Sequence, residues 1–454
     1  MTDLVIIGGT VVTPAGAASV EVAIAAGTIQ AVGTDLPVPP GAERVDAGGL
    51  LVLPGAIDVH THLRLPEPAR PDRFARDTAA AAAGGTTTVL TFNNPGTGIS
   101  EEGARTPLAG VAEFRGRTSG ESAIDYGLCA VLGGQQTDPI AQLPALIEAG
   151  IPTFKAFMVY DFRLTEREID RAMRTAARHG GMLQLHCEDP AIIDPLVAAS
   201  LARGETASRF HALTRPPRAE AVATRLAIEM ARRAEAPLYI VHLSCEEALD
   251  AVAEAKARGE PIHAETCPHY LVFTDAMYDD PDEAEVIKRV ISPPLRGEAD
   301  VAALWAGLRE GILEVIGSDH VPDRLDTEKA MPAPAFPEIS NGGPGVETML
   351  SVVLSEGVAG RRLSLERAVE LVAGAPARLF GLPSKGAIEV GRDADIVLWD
   401  PAARRTLRQE DLHHSSDYTP FEGLEVSGAP VRVLARGRAP EPGAGVFIER
   451  RLAG

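Results

Sequence analysis

The chain has 454 residues, 45% hydrophobic and 23% charged, the composition of a folded globular protein with a large core. Its formal net charge of −20 argues against nucleic acid or an anionic membrane surface as a partner. No stretch approaches the roughly 20 apolar residues of a membrane span, and the opening Met-Thr-Asp-Leu-Val-Ile-Ile-Gly-Gly lacks the basic start and apolar length of a signal peptide.

Residues 1–54 read as short strands, Leu4–Ile7, Thr10–Thr13, Val20–Ala25 and Thr28–Val32, separated by Gly-Gly, Pro-Ala-Gly and Ala-Gly turns. From about 55 to 385, strands and helices alternate. The strands are expected at Ala56–His60, Thr86–Phe92, Tyr126–Leu132, Thr153–Met158, Met182–His186, Leu238–Leu243, Ile262–Cys267 and Leu313–Gly317. Most are near-continuous apolar runs, as in parallel strands buried on both faces.

Helical patterns fall between them, including Asp77–Ala83, Glu166–Arg178, Glu220–Arg233, Cys245–Arg258 and Asp300–Leu308, with a last one at Leu365–Leu379. Thr165-Glu166-Arg167-Glu168 fits a capping box. Further strands are expected at Ala387–Val390, Ile396–Trp399 and Val431–Arg436.

Eight such units predict an α/β fold whose centre is a (β/α)8 barrel, a TIM barrel, over 55–385. An open doubly wound sheet would more often carry a Gly-rich turn after its first strand, where this chain has His-Thr-His. The two β-rich ends, 1–54 and 386–454, are expected to pair as one small discontinuous β-sandwich domain. The four cysteines, Cys129, Cys187, Cys245 and Cys267, form no CxxC pattern and lie in or just after apolar runs. They read as small core residues in a reducing compartment, so a cytoplasmic protein is expected.

Polar residues end several of these strands. His60 and His62 end the first, Lys155 sits in the fourth, His186 and His242 end the fifth and sixth, and Asp319 follows the eighth. Each alone has a structural alternative: a strand-end pair facing solvent, a lysine reaching the rim, a hydrogen-bonded histidine, a helix cap. In one barrel all six meet at the C-terminal mouth, where four imidazoles, a carboxylate and a lysine make a two-metal hydrolase site.

His60 and His62, two apart on a strand, share a face, and Asp58 shares it and is expected to orient one imidazole. A buried Lys155 has a depressed pKa, and its neutral amine can add carbon dioxide to form a metal-bridging carbamate. Asp319 is expected to act as ligand and as general base toward the attacking water.

With these residues the chain resembles the amidohydrolase superfamily, and within it the cyclic amidases: dihydropyrimidinase (hydantoinase), allantoinase and dihydroorotase. The resemblance covers essentially the whole chain. It implies that His60, His62 and Asp319 bind one divalent metal, that His186 and His242 bind the other, and that carbamylated Lys155 bridges them. It further implies zinc and a homotetramer.

Tyr160, five residues after Lys155, is similar to the dihydropyrimidinase tyrosine that stabilises the tetrahedral oxyanion. Ser292 in Ile-Ser-Pro-Pro-Leu-Arg and Asn341 in Ile-Ser-Asn-Gly-Gly-Pro-Gly match segments that hold the substrate's amide ring, and Asp417–Gly423 is also similar to that group. In contrast, His62-Leu63-Arg64 and Phe92-Asn93-Asn94 look more like dihydroorotase, where the arginine and asparagine bind a substrate carboxylate, although Glu67 stands where a glycine belongs. Arg64 could instead pair with Asp72 or Glu67.

The activity implied is hydrolysis of a small cyclic amide or imide, a dihydropyrimidine or 5-substituted hydantoin, by a metal-bridging hydroxide. Dihydroorotase and allantoinase are the alternatives, and a metal-free scaffold is the non-enzymatic one. Leu63, Leu65, Phe157, Phe162 and Leu164 are expected to form the pocket for a ring substituent.

Overall fold

The computed structural model describes residues 2–13, 15–93, 98–329 and 335–453. Eight parallel strands form one sheet in strict chain order: Ala56–Thr61, Thr86–Phe92, Asp125–Val131, Thr153–Phe157, Met182–His186, Leu238–Ile240, Ile262–Thr266 and Val315–Ile316. The sheet closes on itself where the chain beyond the eighth strand returns to the first. Thr61 and His320 pair in parallel, and the His62 amide donates to the His320 carbonyl at 2.8 Å. The result is the expected (β/α)8 barrel.

Strand alternation sorts the side chains. Phe154 and Ala156 enter the large core packed between strands and helices, while Lys155 and Phe157 occupy the opposite face. The helix Glu166–Arg178 starts at the anticipated capping box, in which Thr165 and Glu168 satisfy each other's backbone amides. The last helical stretch spans Leu365–Leu379, but widens to π-helical bonding over Glu370–Gly374.

Two further sheets sit outside the barrel. One runs Thr28–Gly33, Glu21–Ala25, Leu4–Ile7, Glu43–Asp46. The other interleaves both chain ends in the order Glu425–Leu434, Ile396–Thr406, Leu51–Pro54, Thr10–Thr13, Gly16–Ala18. Leu4, Val22, Ile24, Val52, Ile396 and Leu434 form a core that both sheets share.

Several expectations shift. Ala387–Val390 is not a strand but a turn that packs Ile388 into this core. Val431–Arg436 is the end of a strand that stops at Leu434, because Arg436 adopts a left-handed φ of 48°. Glu43–Asp46, Leu51–Pro54 and Gly16–Ala18 were not anticipated.

The final residues leave the sheets for the base of the barrel. Tyr126 donates its amide to Val446 and accepts from Ile448. Arg450 inserts its guanidinium beneath the strands, donating to the Phe380 carbonyl and to Oγ1 of Thr153.

Candidate active site

The expected strand-end residues converge at the C-terminal mouth. Nε2 of His60 and Nε2 of His62 lie 3.1 and 3.2 Å from the same Asp319 oxygen. Ligand atoms of these three residues all fall within 4.8 Å of one another, the arrangement of a metal-ion site. The His60 ring is centred 5.3 Å from that of His242, and His242 is 4.5 Å from His186. The four imidazoles therefore form a continuous arc.

Lys155, 1% exposed, sits with its Nζ 4.9 Å from the Phe92 ring and 5.1 Å from the Phe157 ring. Those rings in turn pack against His60 and His186. His242 and Asp319, with φ of 38° and 49°, lie just past their strands in a left-handed conformation, as does Tyr160 at 76°. Backbone strain of this kind concentrates where function fixes geometry.

The electrostatics follow from burial. Burial lowers the Lys155 amine to about 8, against the pull of Asp319 and Glu265. Burial also keeps His62 at about 4 and holds His242 well below its usual value. Burial alone would raise Asp319, but the neighbouring His60 and His62 outweigh it and hold the carboxyl far below the ordinary range. His62 and His242 are thereby neutral, the state a metal ligand needs, whereas His60, which burial alone would lower, is raised by the Glu265 and Asp319 carboxylates. Among the described residues, Nε2 of His60 and Nδ1 of His242 are buried with no hydrogen-bond partner. An unpartnered Nε2 on His60, 3.1 Å from an Asp319 oxygen, suits a bound cation.

Two carboxylates not singled out beforehand support this arc. Glu265 contacts Nδ1 of His60 through one oxygen and accepts from the Tyr239 hydroxyl at 2.8 Å through the other. It, rather than Asp58, orients the imidazole. Asp58 accepts instead from the backbone amides of His60 and Ser318, at 3.2 and 3.1 Å. Gly317 makes room for this, since a Cβ there would stand 2.9 Å from Glu265 Oε2 and 3.0 Å from Cβ of His60. On the other side, Glu188 Oε2 lies 2.7 Å from Nε2 of His186 and 2.6 Å from Nη1 of Arg215. The available signal was an acid within or just after an apolar strand whose neighbours end in histidine.

Tyr160, Ser292 and Asn341 also meet. Nδ2 of Asn341 reaches the Tyr160 hydroxyl at 3.5 Å, and Oγ of Ser292 lies 3.3 Å from Nε2 of His211. The Arg215 guanidinium covers the Tyr160 ring at 5.3 Å.

Other expectations change. Arg64 pairs with Asp323, through Nε at 3.1 Å and through Nη2, and not with Asp72 or Glu67; Glu67 is taken by Arg70 and Arg73. Asn94 lies outside the described residues. Leu63, Leu65 and Leu164 pack in the strand–helix core, with Leu63 wholly buried. Phe157 and Phe162 stay at the mouth, their rings 5.0 Å apart.

The sequence matches the amidohydrolase family model over residues 51–439. The chain belongs to the amidohydrolase family, in its cyclic amidase branch. A D-hydantoinase of Ralstonia pickettii is 40% identical over 99% of both chains, and one of Rhizobium radiobacter is 41% identical over 96% of this chain and 94% of its own. The solved dihydropyrimidinase of Brevibacillus agri superposes with a TM-score of 0.93 at 37% identity over the whole of both chains.

Proposed function

We propose that this protein hydrolyses the ring amide of dihydropyrimidines and 5-substituted hydantoins at a centre of two divalent metals. The observation that carries the reading is the meeting of His60, His62 and Asp319 with Lys155, His186 and His242 beside Tyr160. The names of its relatives support hydantoins as substrates, and the D enantiomer among them.

In this reading His60, His62 and Asp319 would hold one metal and His186 with His242 the other, and a carbamate on Lys155 would add a ligand to them. The low pKa of the buried amine favours the neutral form that captures carbon dioxide. Zinc is the metal proposed. When bound, the metals acidify water and polarise the ring carbonyl.

The protein's own groups do the rest. Asp319 takes the proton of the attacking water on its carboxylate and delivers it to the ring nitrogen as the C–N bond breaks. The Tyr160 hydroxyl donates to the oxygen that gains charge as water adds. The Ser292 and Asn341 segments hold the amide ring, and Phe157 and Phe162 shield it from bulk water.

We further propose a homotetramer in a reducing cytoplasm, in keeping with four free and buried cysteines. Among the described residues no helix is long and apolar enough to cross a membrane. A dihydroorotase would use Arg64 on a substrate carboxylate, and its pairing with Asp323 favours neutral rings. A scaffold role has little support while every metal-type side chain is present. Metal analysis and ring-opening assays of wild type, Lys155→Ala and Asp319→Asn test the reading: the wild type should bind about two metals per chain and turn over. Both variants should be inactive, and an active Asp319→Asn would remove the base.

A further inference from the structure

Lys329 is buried to 1% exposure, yet among the described residues no carboxylate forms an ion pair with it. Its ammonium has three N–H donors and meets three backbone carbonyls: Val290 at 2.7 Å, Ser340 at 2.8 Å and Gly342. These carbonyls are not scattered. Val290 stands two residues before Ser292, and Ser340 and Gly342 bracket Asn341. The Gly342 amide donates to Val290 at 3.1 Å, and the Ser340 amide to the Lys329 carbonyl at 3.0 Å, so the lysine closes a ring of bonds around both segments.

A buried lysine without a counter-ion is costly, and an apolar side chain of equal length would fill the same space. What the apolar residue could not do is join the two segments. Asn341 presents its amide to Tyr160, and its Oδ1 is buried with no partner of its own. Such an amide needs a firm backbone beneath it to keep an open acceptor aimed at a ligand.

We infer that Lys329 is a positioning residue that ties the Ser292 and Asn341 segments into one clamp for the substrate ring, gripping it away from the C–N bond that breaks. This rests on the cyclic amidase reading for its consequence, but not for the tie itself. The clamp touches parts of the ring that change little during reaction. Loosening it therefore weakens ground state and transition state alike, which raises KM and spares kcat.

The experiment compares wild type, Lys329→Met and Lys329→Gln as metal-loaded full-length protein. Hydrogen–deuterium exchange is followed over 288–294 and 338–344, alongside steady-state kinetics on dihydrouracil. Lys329→Met should exchange at least about 10-fold faster in both segments and unchanged in the barrel strands, with KM raised about 10-fold and kcat within about 3-fold. Lys329→Gln, which keeps two donors, should fall between and serves if the Met variant does not fold. Unchanged exchange overturns the tie, and faster exchange with unchanged KM overturns the positioning role in favour of a purely structural one. A wild type inactive on every ring defeats the functional reading instead, and the exchange comparison still decides the tie.

Discussion

Oε2 of Glu188 lies 2.7 Å from Nε2 of His186, and the same oxygen meets Nη1 of Arg215 at 2.6 Å. One carboxylate atom thus fixes the imidazole so that Nδ1 is the nitrogen left for a metal, and neutralises the cation that covers Tyr160. Burial alone would raise Glu188, but Arg215 and His186 bring it down to about 2, so it is ionised at any working pH.

Replacing Glu188 with Gln keeps the shape and removes the charge. Arg215 is left buried without its partner, which costs on the order of 3 kcal/mol. Metal affinity should fall about 10- to 100-fold as the His186 ring loses its anchor. Thermal denaturation and metal titration against a chelator check both. Retained affinity would show that His186 is oriented by other contacts.

Tyr160→Phe isolates the hydroxyl. Its partner, the Asn341 amide at 3.5 Å, is a weak one, so folding stability should change little. If the hydroxyl donates to the developing oxyanion, kcat should drop about 10²- to 10³-fold with KM nearly constant. Steady-state kinetics on one hydantoin suffice.

Arg64→Met tests the carboxylate-clamp alternative. The substitution strands Asp323, a partner also of the Ser340 hydroxyl, and should lower stability by on the order of 3 kcal/mol. The ratio of activity on dihydrouracil to that on dihydroorotate should move less than about 3-fold. A ratio that shifts by orders of magnitude would return Arg64 to the substrate.

Acid sensitivity has a local source in His414. Burial, with His320 nearby, lowers it to about 3, and neither ring nitrogen has a hydrogen-bond partner. The unfolded histidine titrates near 6.5, so between about 6.5 and 3 the unfolded chain binds the extra proton. Stability therefore falls as pH drops through this window, by up to about 1.4 kcal/mol per pH unit from this group. His414→Gln should flatten the decline of Tm below pH 6, read by scanning calorimetry.

Much of the barrel was legible because its strands are apolar runs that stop at a polar residue. His60 and His186 mark the ends of their strands for that reason, while Lys155 stands in the middle of Thr153–Phe157. Leu51–Pro54 was missed because it is only four residues long and its partners, Thr10–Thr13 and Ile396–Thr406, lie far away in the chain, although Pro54-Gly55 marks its end. Ala387–Val390 has strand composition but no neighbouring strand. Glu188 and Glu265 carried only a weak signal, an acid within or just after an apolar strand, since a carboxylate's value here lies in which imidazole it meets across the barrel.

Ring opening is tested most directly by kcat/KM for dihydrouracil, a 5-substituted hydantoin, allantoin and dihydroorotate on zinc-loaded enzyme in one buffer. Dihydrouracil and the hydantoin should lead by at least about 10-fold. Dihydroorotate or allantoin in the lead would contradict it, as would a fully metal-loaded protein that opens none of the four rings.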